Sequence, residues 1–335
     1  MPADGEGIDM DKDFLTYNQQ MKHLRNDKHI SCKGTTDKKV LCRYGYFNLV
    51  NGYKDPFVTG RDSNGNHKYY SGTNIQHLNA VKDFDDTLRM FLLKFIVRAE
   101  EEVRTFSAYK FDEINQRGKI SWFEVNAFDP EAEIKKVIAL ISKAYTEISK
   151  SQADYVRFYM DHHKVIPTWI LVKVINFSTF IDFVDKSKSK VKNAICELYS
   201  IKDERGYYDY RLLIGSLHWM RQVRNSCAHN ERIYTLSRKN KRIAGTYFKR
   251  LPESYQRDRT QTIFDLLIYL KYYLSKEDYI ELINGVDRMM RELQATIPDS
   301  AFEYVRSKMG IKDLSHFSTL LSDAKEIEYN KFEQM

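Results

Sequence analysis

Residues 75–116 read IQHLNAVKDFDDTLRMFLLKFIVRAEEEVRTFSAYKFDEINQ, without a proline or a glycine. Phe84, Leu88, Phe91, Leu92, Phe95, Ile96 and Val103 recur along it at helical intervals. At 3.6 residues per turn they fall on one stripe. The stretch therefore predicts a single long helix from about Ile75 to Gln116, stopped at Gly118. The whole chain shares its character. Its 335 residues include only 6 prolines and 14 glycines, and 42% are hydrophobic. Scarce helix breakers and long periodic segments favour an all-α fold over a turn-rich β architecture.

The flanking segments agree. On the N-terminal side, Phe14–Asp27 is helical, with Phe14, Tyr17, Met21 and Leu24 on one face, and a second helix runs from about Lys38 to Val50. Residues 51–74 are rich in Gly, Asn, Asp and Ser and read as a loop. At most a small β pair is expected there, at Phe57–Thr59 and Lys68–Tyr70. On the C-terminal side, Pro130 opens a helix to about Asp161, and Pro167 opens another through Phe183. Helices follow at Asn193–Ile201, Tyr208–Asn230, Thr262–Leu274 and Ser275–Leu293, the last started by a capping box from Ser275 to Asp278. One or two short helices come after Pro298. The organisation expected is an N-terminal helical extension and loop (1–74), a main helical domain (75–296) and a helical tail (297–335).

Charge and cysteine content narrow the class. The net charge is +7 and the pI about 8.9, a modest excess that suits a polyanionic partner. Cys32, Cys42, Cys196 and Cys227 include no CxxC spacing, which argues against a zinc site or a disulfide framework. Residues 1–12 are acidic and polar and carry no signal-peptide pattern. The most apolar run, Trp169–Val184, is broken by Lys173, Asn176 and Asp182. A cytoplasmic setting with no membrane partner is expected.

The chemistry concentrates at Arg224-Asn225-Ser226-Cys227-Ala228-His229, flanked by Arg221 and Arg232. At about 100° per residue, Arg221, Asn225, His229 and Arg232 share a helical stripe with Arg224 beside it. Guanidinium forks fit phosphate oxygens, and an imidazole moves protons near neutral pH. An Arg followed closely by a His also occurs at Arg61/His67, Arg157/His162 and Arg211/His218, so spacing alone leaves an exposed basic helix face as the alternative. Residues 238–250 hold Arg238, Lys239, Lys241, Arg242, Lys249 and Arg250 around Tyr247 and Phe248, with no acid. Such a mixture can grip a phosphate backbone and stack bases, or simply line a surface loop. The lysine run 186–192 reads as a solvated turn or a phosphate contact. His162 and His163 point to different helix faces, so no metal site and no cofactor are indicated.

Several blocks together resemble a known family. Leu15-Thr16-Tyr17 with Gln19-Gln20, Tyr46-Phe47-Asn48-Leu49-Val50-Asn51-Gly52-Tyr53, Phe84-Asp85-Asp86-Thr87-Leu88-Arg89, Glu100 with Arg104-Thr105, Pro167-Thr168-Trp169 with Phe177-Ser178, and Arg224 through Arg232 occur in one order. In that order they resemble the bacterial abortive-infection (Abi) proteins of the AbiD/AbiF type over roughly residues 13–290. The chain departs from the pattern at Lys173, where a glutamate is expected, at Ser178 in place of glycine, and at Thr235 in place of asparagine. The Lys173 difference puts the carboxylate partner of the site in question.

The resemblance implies a HEPN-like helical bundle. It also implies a ribonuclease of phage defence that cleaves RNA without metal, dimerises through paired motifs and associates with a structured non-coding RNA. On this reading the catalytic residues are Arg224, Asn225 and His229. The RNA contacts are Arg221, Arg232, Arg238, Lys241, Arg242, Lys249, Arg250 and Arg104. The chemistry of RNA agrees, because its own 2′-hydroxyl is the nucleophile. Base, acid and phosphate cation are then what the protein must supply. One histidine cannot readily be base and acid together, whereas two His229 side chains across a twofold axis can. Three readings stay open from sequence: a restrained toxin-like RNase, an RNA-binding scaffold, and a structural partner of another defence protein.

Overall fold

The structure, a computed structural model, describes residues 14–63, 65–117, 119–163, 165–243, 251, 255, 258–322 and 324. It is helical throughout, and among the described residues the only sheet is one two-stranded antiparallel pair. The chain divides into two compact units, residues 1–85 with 291–305 and residues 86–290 with 306–335. Among the described residues no helix is long and apolar enough to cross a membrane.

In the first unit, α1 (Tyr17–Asn26) starts at a capping box between Thr16 and Gln19. α2 (Gly34–Tyr44) stops earlier than its periodicity predicts, because Gly45 turns left-handed at φ 74°. The chain resumes as one π-helical turn, Phe47–Asn51. β1 (Val58–Arg61) and β2 (His67–Tyr69) then pair close to the predicted positions, with a register shift between Val58 and Gly60. Leu24, Leu41, Leu49, Phe57, Leu78 and Val81 are fully buried.

α3 is a continuous helix over Ile75–Ile114. The backbone leaves it through two left-handed residues, Gln116 at φ 59° and Arg117 at φ 56°. Gly118, the predicted stop, lies outside the described residues. Of the predicted stripe, Leu88, Leu92, Phe95, Ile96 and Val103 are fully buried.

The other helices of the second unit pack on one another. α4 (Ile134–Lys150) and α5 (Asp154–His162) replace the single helix predicted over 130–161, because Ser151 and Ala153 take extended backbone. α6 (Thr168–Val174) and α7 (Phe177–Lys186) likewise replace one predicted helix. Asn176 interrupts it by accepting a hydrogen bond from the Thr179 N–H at 3.0 Å, which restarts the helix as an N-cap. α8 (Ser189–Leu198) begins within the lysine run. Lys188 there reaches Asn115 at 2.7 Å and Lys192 pairs with Asp129 at 3.4 Å, so neither stands as a solvated turn residue. α9 (Tyr210–Ala228) packs on α7, α8 and α10 (Ile263–Leu270), and α10 is buried along its length. α11 (Lys276–Thr296), α12 (Asp299–Lys308) and α13 (His316–Ser322) complete the chain.

Gly310 closes α12. At φ 79° its N–H bonds the Ser307 carbonyl at 3.0 Å, and the Ile311 N–H reaches back to Arg306 at 3.1 Å. A β-carbon here would stand 2.2 Å from Thr262 Oγ1, and the Thr262 carbonyl accepts from the buried Trp219 indole at 3.0 Å. Gly206 has a similar φ, 84°, with open space around it. Gly206→Ala should therefore cost about 1–2 kcal/mol of left-handed strain alone. Gly310→Ala should add an overpacking cost of about 1–3 kcal/mol. Urea denaturation of both variants checks this, and equal losses would mean that Thr262 yields freely.

Candidate functional site

α9 is amphipathic in the ordinary way. Leu213, Leu217, Trp219, Met220 and Val223 are fully buried, while His218, Arg221, Gln222, Arg224 and Asn225 are half-buried on the other side. The apolar side thus fixes the rotation that presents the Arg224–Asn225 pair to solvent.

The helix ends through a two-bond reversal. The Glu231 N–H bonds the Ser226 carbonyl at 3.0 Å, and the Asn230 N–H bonds Cys227 at 3.2 Å. Asn230 sits left-handed at φ 58°, a conformation that asparagine tolerates better than most residues. Ser226 Oγ donates to Glu231 at 2.6 Å and ties the turn further. His229 is the C-cap, with φ −90° and ψ 9°, and is exposed. This reversal corrects the single stripe predicted from periodicity. Arg221 and Asn225 are on the helix and His229 is at its cap, but Arg232 lies beyond the turn, its guanidinium 5.6 Å from the centre of the Tyr234 ring.

α3 supplies the support from underneath. Arg89, buried and paired with Asp86, donates to the Glu231 carbonyl at 2.9 Å. Eleven residues is close to a whole number of helical turns, so Glu100 follows Arg89 on the same face of α3. Its carboxylate accepts from Arg104 Nε at 2.9 Å and from a terminal nitrogen at 2.7 Å. The other Glu100 oxygen lies 3.7 Å from Arg224 Nε. Arg224 also donates to Asn225 Oδ1 at 3.3 Å. Its side chain is 41% exposed against 10% for Glu100, so one end of the guanidinium is held and the other faces solvent. One carboxylate thus meets two guanidiniums, and the outer one, Arg224, lies about one turn before the exposed His229 at the end of the same helix.

Arg104 is not the surface RNA contact that the sequence suggested. It is buried, it donates to the carbonyls of Val172 and Ile175, and its guanidinium lies 4.8 Å from the Phe180 ring centre. Those carbonyls are the open end of α6, so Arg104 acts as a C-terminal cap delivered from α3. Burial lowers its pKa from the ordinary arginine value; Glu100 opposes this, and Arg224 adds repulsion. Glu147 of α4 closes the other side of the joint, accepting from the Asn176 N–H at 2.7 Å and from the Thr179 hydroxyl at 2.7 Å.

Arg242 needs the same correction. It forms a bidentate pair with Asp265 at 2.7 and 2.9 Å, and also donates to the carbonyls of Tyr255 and Asp258, both at 3.1 Å. Its side chain is 3% exposed. Lys241 beside it is exposed, and Arg238 is half-buried. Lys249 and Arg250, with Tyr247 and Phe248, lie outside the described residues.

Sequence reasoning missed Glu100 as the partner of Arg224, and it also passed over His218. His218 sits one turn before Arg221. Burial first, then Arg221 and Arg238, lower its pKa from the ordinary histidine value, while Asp182 and Asp185 oppose. Arg221 and Arg238 are therefore brought together around a second imidazole on the α9 surface. The 218/221/225 spacing was the available signal. Among the described residues no group of three or more His, Cys, Asp or Glu side chains is arranged to hold a metal ion.

A family described as Abi-like protein matches residues 39–235. The matched segment spans Arg89, Glu100, Arg104, the Arg224–His229 motif and the reversal after it. No curated protein and no solved structure matches the chain.

The two arginines that geometry removes from the surface make a sharp test. Arg242→Ala strands the Asp265 carboxylate, and breaking a buried pair costs about 3–5 kcal/mol. Lys241→Ala should stay within about 0.5 kcal/mol of the parent, as exposed substitutions do. Chemical denaturation of both separates the two roles, and a near-neutral Arg242→Ala would argue that this side chain faces solvent after all.

Proposed function

Since the chain belongs to the Abi-like protein family, whose role is abortive infection in phage defence, we propose that it acts there as an endoribonuclease using Arg224, Asn225 and His229. The observation that carries this reading is the arrangement at Glu100. A shared carboxylate lies 3.7 Å from Arg224, whose side chain is 41% exposed, and the exposed His229 caps the same helix. A part-exposed guanidinium and an exposed imidazole at one helix end suit a phosphodiester, since one can hold phosphate oxygens and the other can move protons.

In the proposed reaction Arg224 holds a non-bridging phosphate oxygen, and Asn225, in contact with Arg224, orients that guanidinium or the ribose. One His229 takes the proton from the substrate's 2′-hydroxyl. The 2′-oxygen attacks phosphorus, the bond to the 5′-oxygen breaks, and a second proton donor completes the leaving hydroxyl. The products are a 2′,3′-cyclic phosphate and a 5′-hydroxyl. The route needs no metal or cofactor. Arg221, Arg238 and Lys241, at least part-exposed, are cations suited to steering the backbone, and a structured RNA is the partner class in keeping with them.

The active protein should cut single-stranded RNA in the presence of a chelator. His229→Ala and Arg224→Ala should each lower the rate by about 100–10,000-fold, the usual cost of an acid–base group, with RNA binding largely kept. A substrate blocked at the scissile 2′-oxygen should survive. Cleavage of that substrate, or a requirement for divalent metal, would rule this mechanism out. Retention of phage defence by an inactive His229→Ala protein would favour an RNA scaffold instead.

Because the motif offers one histidine, which serves poorly as base and acid together, we further propose a homodimer that pairs the two His229 side chains. Light scattering should then give twice the chain mass at micromolar concentration, with or without RNA. A monomer under both conditions would remove the second histidine from the mechanism.

A further inference from the structure

The first unit holds a cavity of about 750 Å³, built around Gln20, Lys28, Tyr46, Lys54, His67 and Tyr69. Small-molecule sites commonly fall between roughly 300 and 1,000 Å³. α1 contributes Gln20 and His23, the turn after it Lys28, the π-helical turn Asn51 with Tyr46 just before it, and β2 His67 and Tyr69. Tyr46 and Asn51 belong to the 46–53 block singled out in the sequence, for which the Arg224 site gives no explanation.

The lining has a definite chemistry. Among the described residues neither Lys28 nor Lys54 makes an ion pair, whereas His23 already engages Asp27 at 2.6 Å. The positive field is felt at His67. Burial is the largest cause lowering its pKa from the ordinary histidine value, and Lys54, Arg61 and Lys28 follow, with only Asp55 opposing. Two buried polar atoms of the lining have no hydrogen-bond partner, Gln20 Oε1 and His67 Nδ1. The other end of the Gln20 amide is committed to the Leu15 carbonyl at 2.9 Å, so Oε1 is left as a free acceptor. An unmet buried polar atom costs about 1–3 kcal/mol, so both atoms call for a ligand that brings hydrogen bonds. Tyr46 and Tyr69 add half-buried rings, and burial pushes the Tyr46 hydroxyl up to about 12, which keeps it a donor.

Cations, ring faces and an unmet amide acceptor in one cavity describe a molecule with an anionic group, a flat ring and a hydrogen-bonding edge. An inorganic anion would leave the rings and most of the volume unused. A fatty chain would leave Gln20 and His67 unpaired. We propose that this cavity is a nucleotide-binding site, with Lys28 and Lys54 taking the phosphate, Tyr46 and Tyr69 facing the base, and Gln20 Oε1 accepting a hydrogen bond from the base edge. This stands independently of the ribonuclease reading. A free nucleotide and a phosphorylated RNA terminus present the same chemistry.

Calorimetry of the full chain with AMP, ATP, GTP and UMP tests it. At least one should bind, and the Lys28→Ala/Lys54→Ala pair should weaken that binding tenfold or more while the Lys→Arg pair largely keeps it. An 8-azidoadenine nucleotide on the unaltered protein should label peptides within residues 15–69, which keeps the test independent of variant folding. Competition by a 5′-phosphorylated oligoribonucleotide, but not by its 5′-hydroxyl form, would identify a chain terminus as the ligand. No competition by either would identify the free nucleotide. The proposal fails if no nucleotide binds at millimolar concentration or if inorganic phosphate binds as well as any nucleotide. It also fails if binding follows Arg224→Ala rather than the lysines, or if the photolabel maps elsewhere.

Discussion

The Glu100 carboxylate is the contact on which the arrangement around α9 depends. Its two oxygens divide between Arg104, deep in the second unit, and Arg224, at the surface. Arg104 in turn closes the carbonyls at the end of α6. A buried pair of this kind repays its desolvation only when its remaining hydrogen bonds are made; here the Val172 and Ile175 carbonyls make them, and the Phe180 ring adds a cation–π contact. What the pair supplies is position: it couples the angle between α6 and α7 to the placement of one surface guanidinium. Arg89 does the equivalent at the far side of the motif by holding the Glu231 carbonyl. Both ends of the Arg224–His229 segment are thus tied to the same face of α3.

Much of this was legible in the sequence. The stripe from Phe84 to Val103 announced α3, and the small polar residues of 51–74 announced a loop with at most a small β pair. The Arg/Asn/His set was singled out by residue type alone, and the structure places it at the end of α9. These signals are local, carried by periodicity and residue type. The misreadings share a different cause. Periodicity ran straight through Asn176 and Ser151, because a helix break depends on a capping side chain and on a partner such as Glu147 from another helix. Arg242 looked like one more surface cation because its counter-ion, Asp265, lies outside the basic run. Arg232 kept its place on a projected helix that Asn230 in fact ends. The carboxylate questioned at Lys173 comes from Glu100, on a helix that sequence order separates widely from the motif.

The two kinds of arginine in this chain illustrate why charge counts say little about surfaces. Arg89, Arg104 and Arg242 are spent inside, each on backbone carbonyls and one carboxylate. The planar fork suits that use, since it satisfies several acceptors from one fixed geometry. Lysines in the same fold behave differently. Lys188 folds onto Asn115 and Lys192 onto Asp129 and the Asp185 carbonyl, while Lys28 and Lys54 line an open cavity.

The left-handed turn at Asn230 constrains how the site can change over evolutionary time. With the reversal fixed by main-chain bonds to Ser226 and Cys227, the chain leaves α9 at one point and in one direction. An inserted or deleted residue between Arg224 and His229 would swing the imidazole by about 100° relative to the guanidinium, and would also put a different side chain at the left-handed position. Substitutions within the segment disturb neither. Drift here is therefore confined to exchanges of residue type at constant length, and position 230 is open chiefly to asparagine, glycine and aspartate.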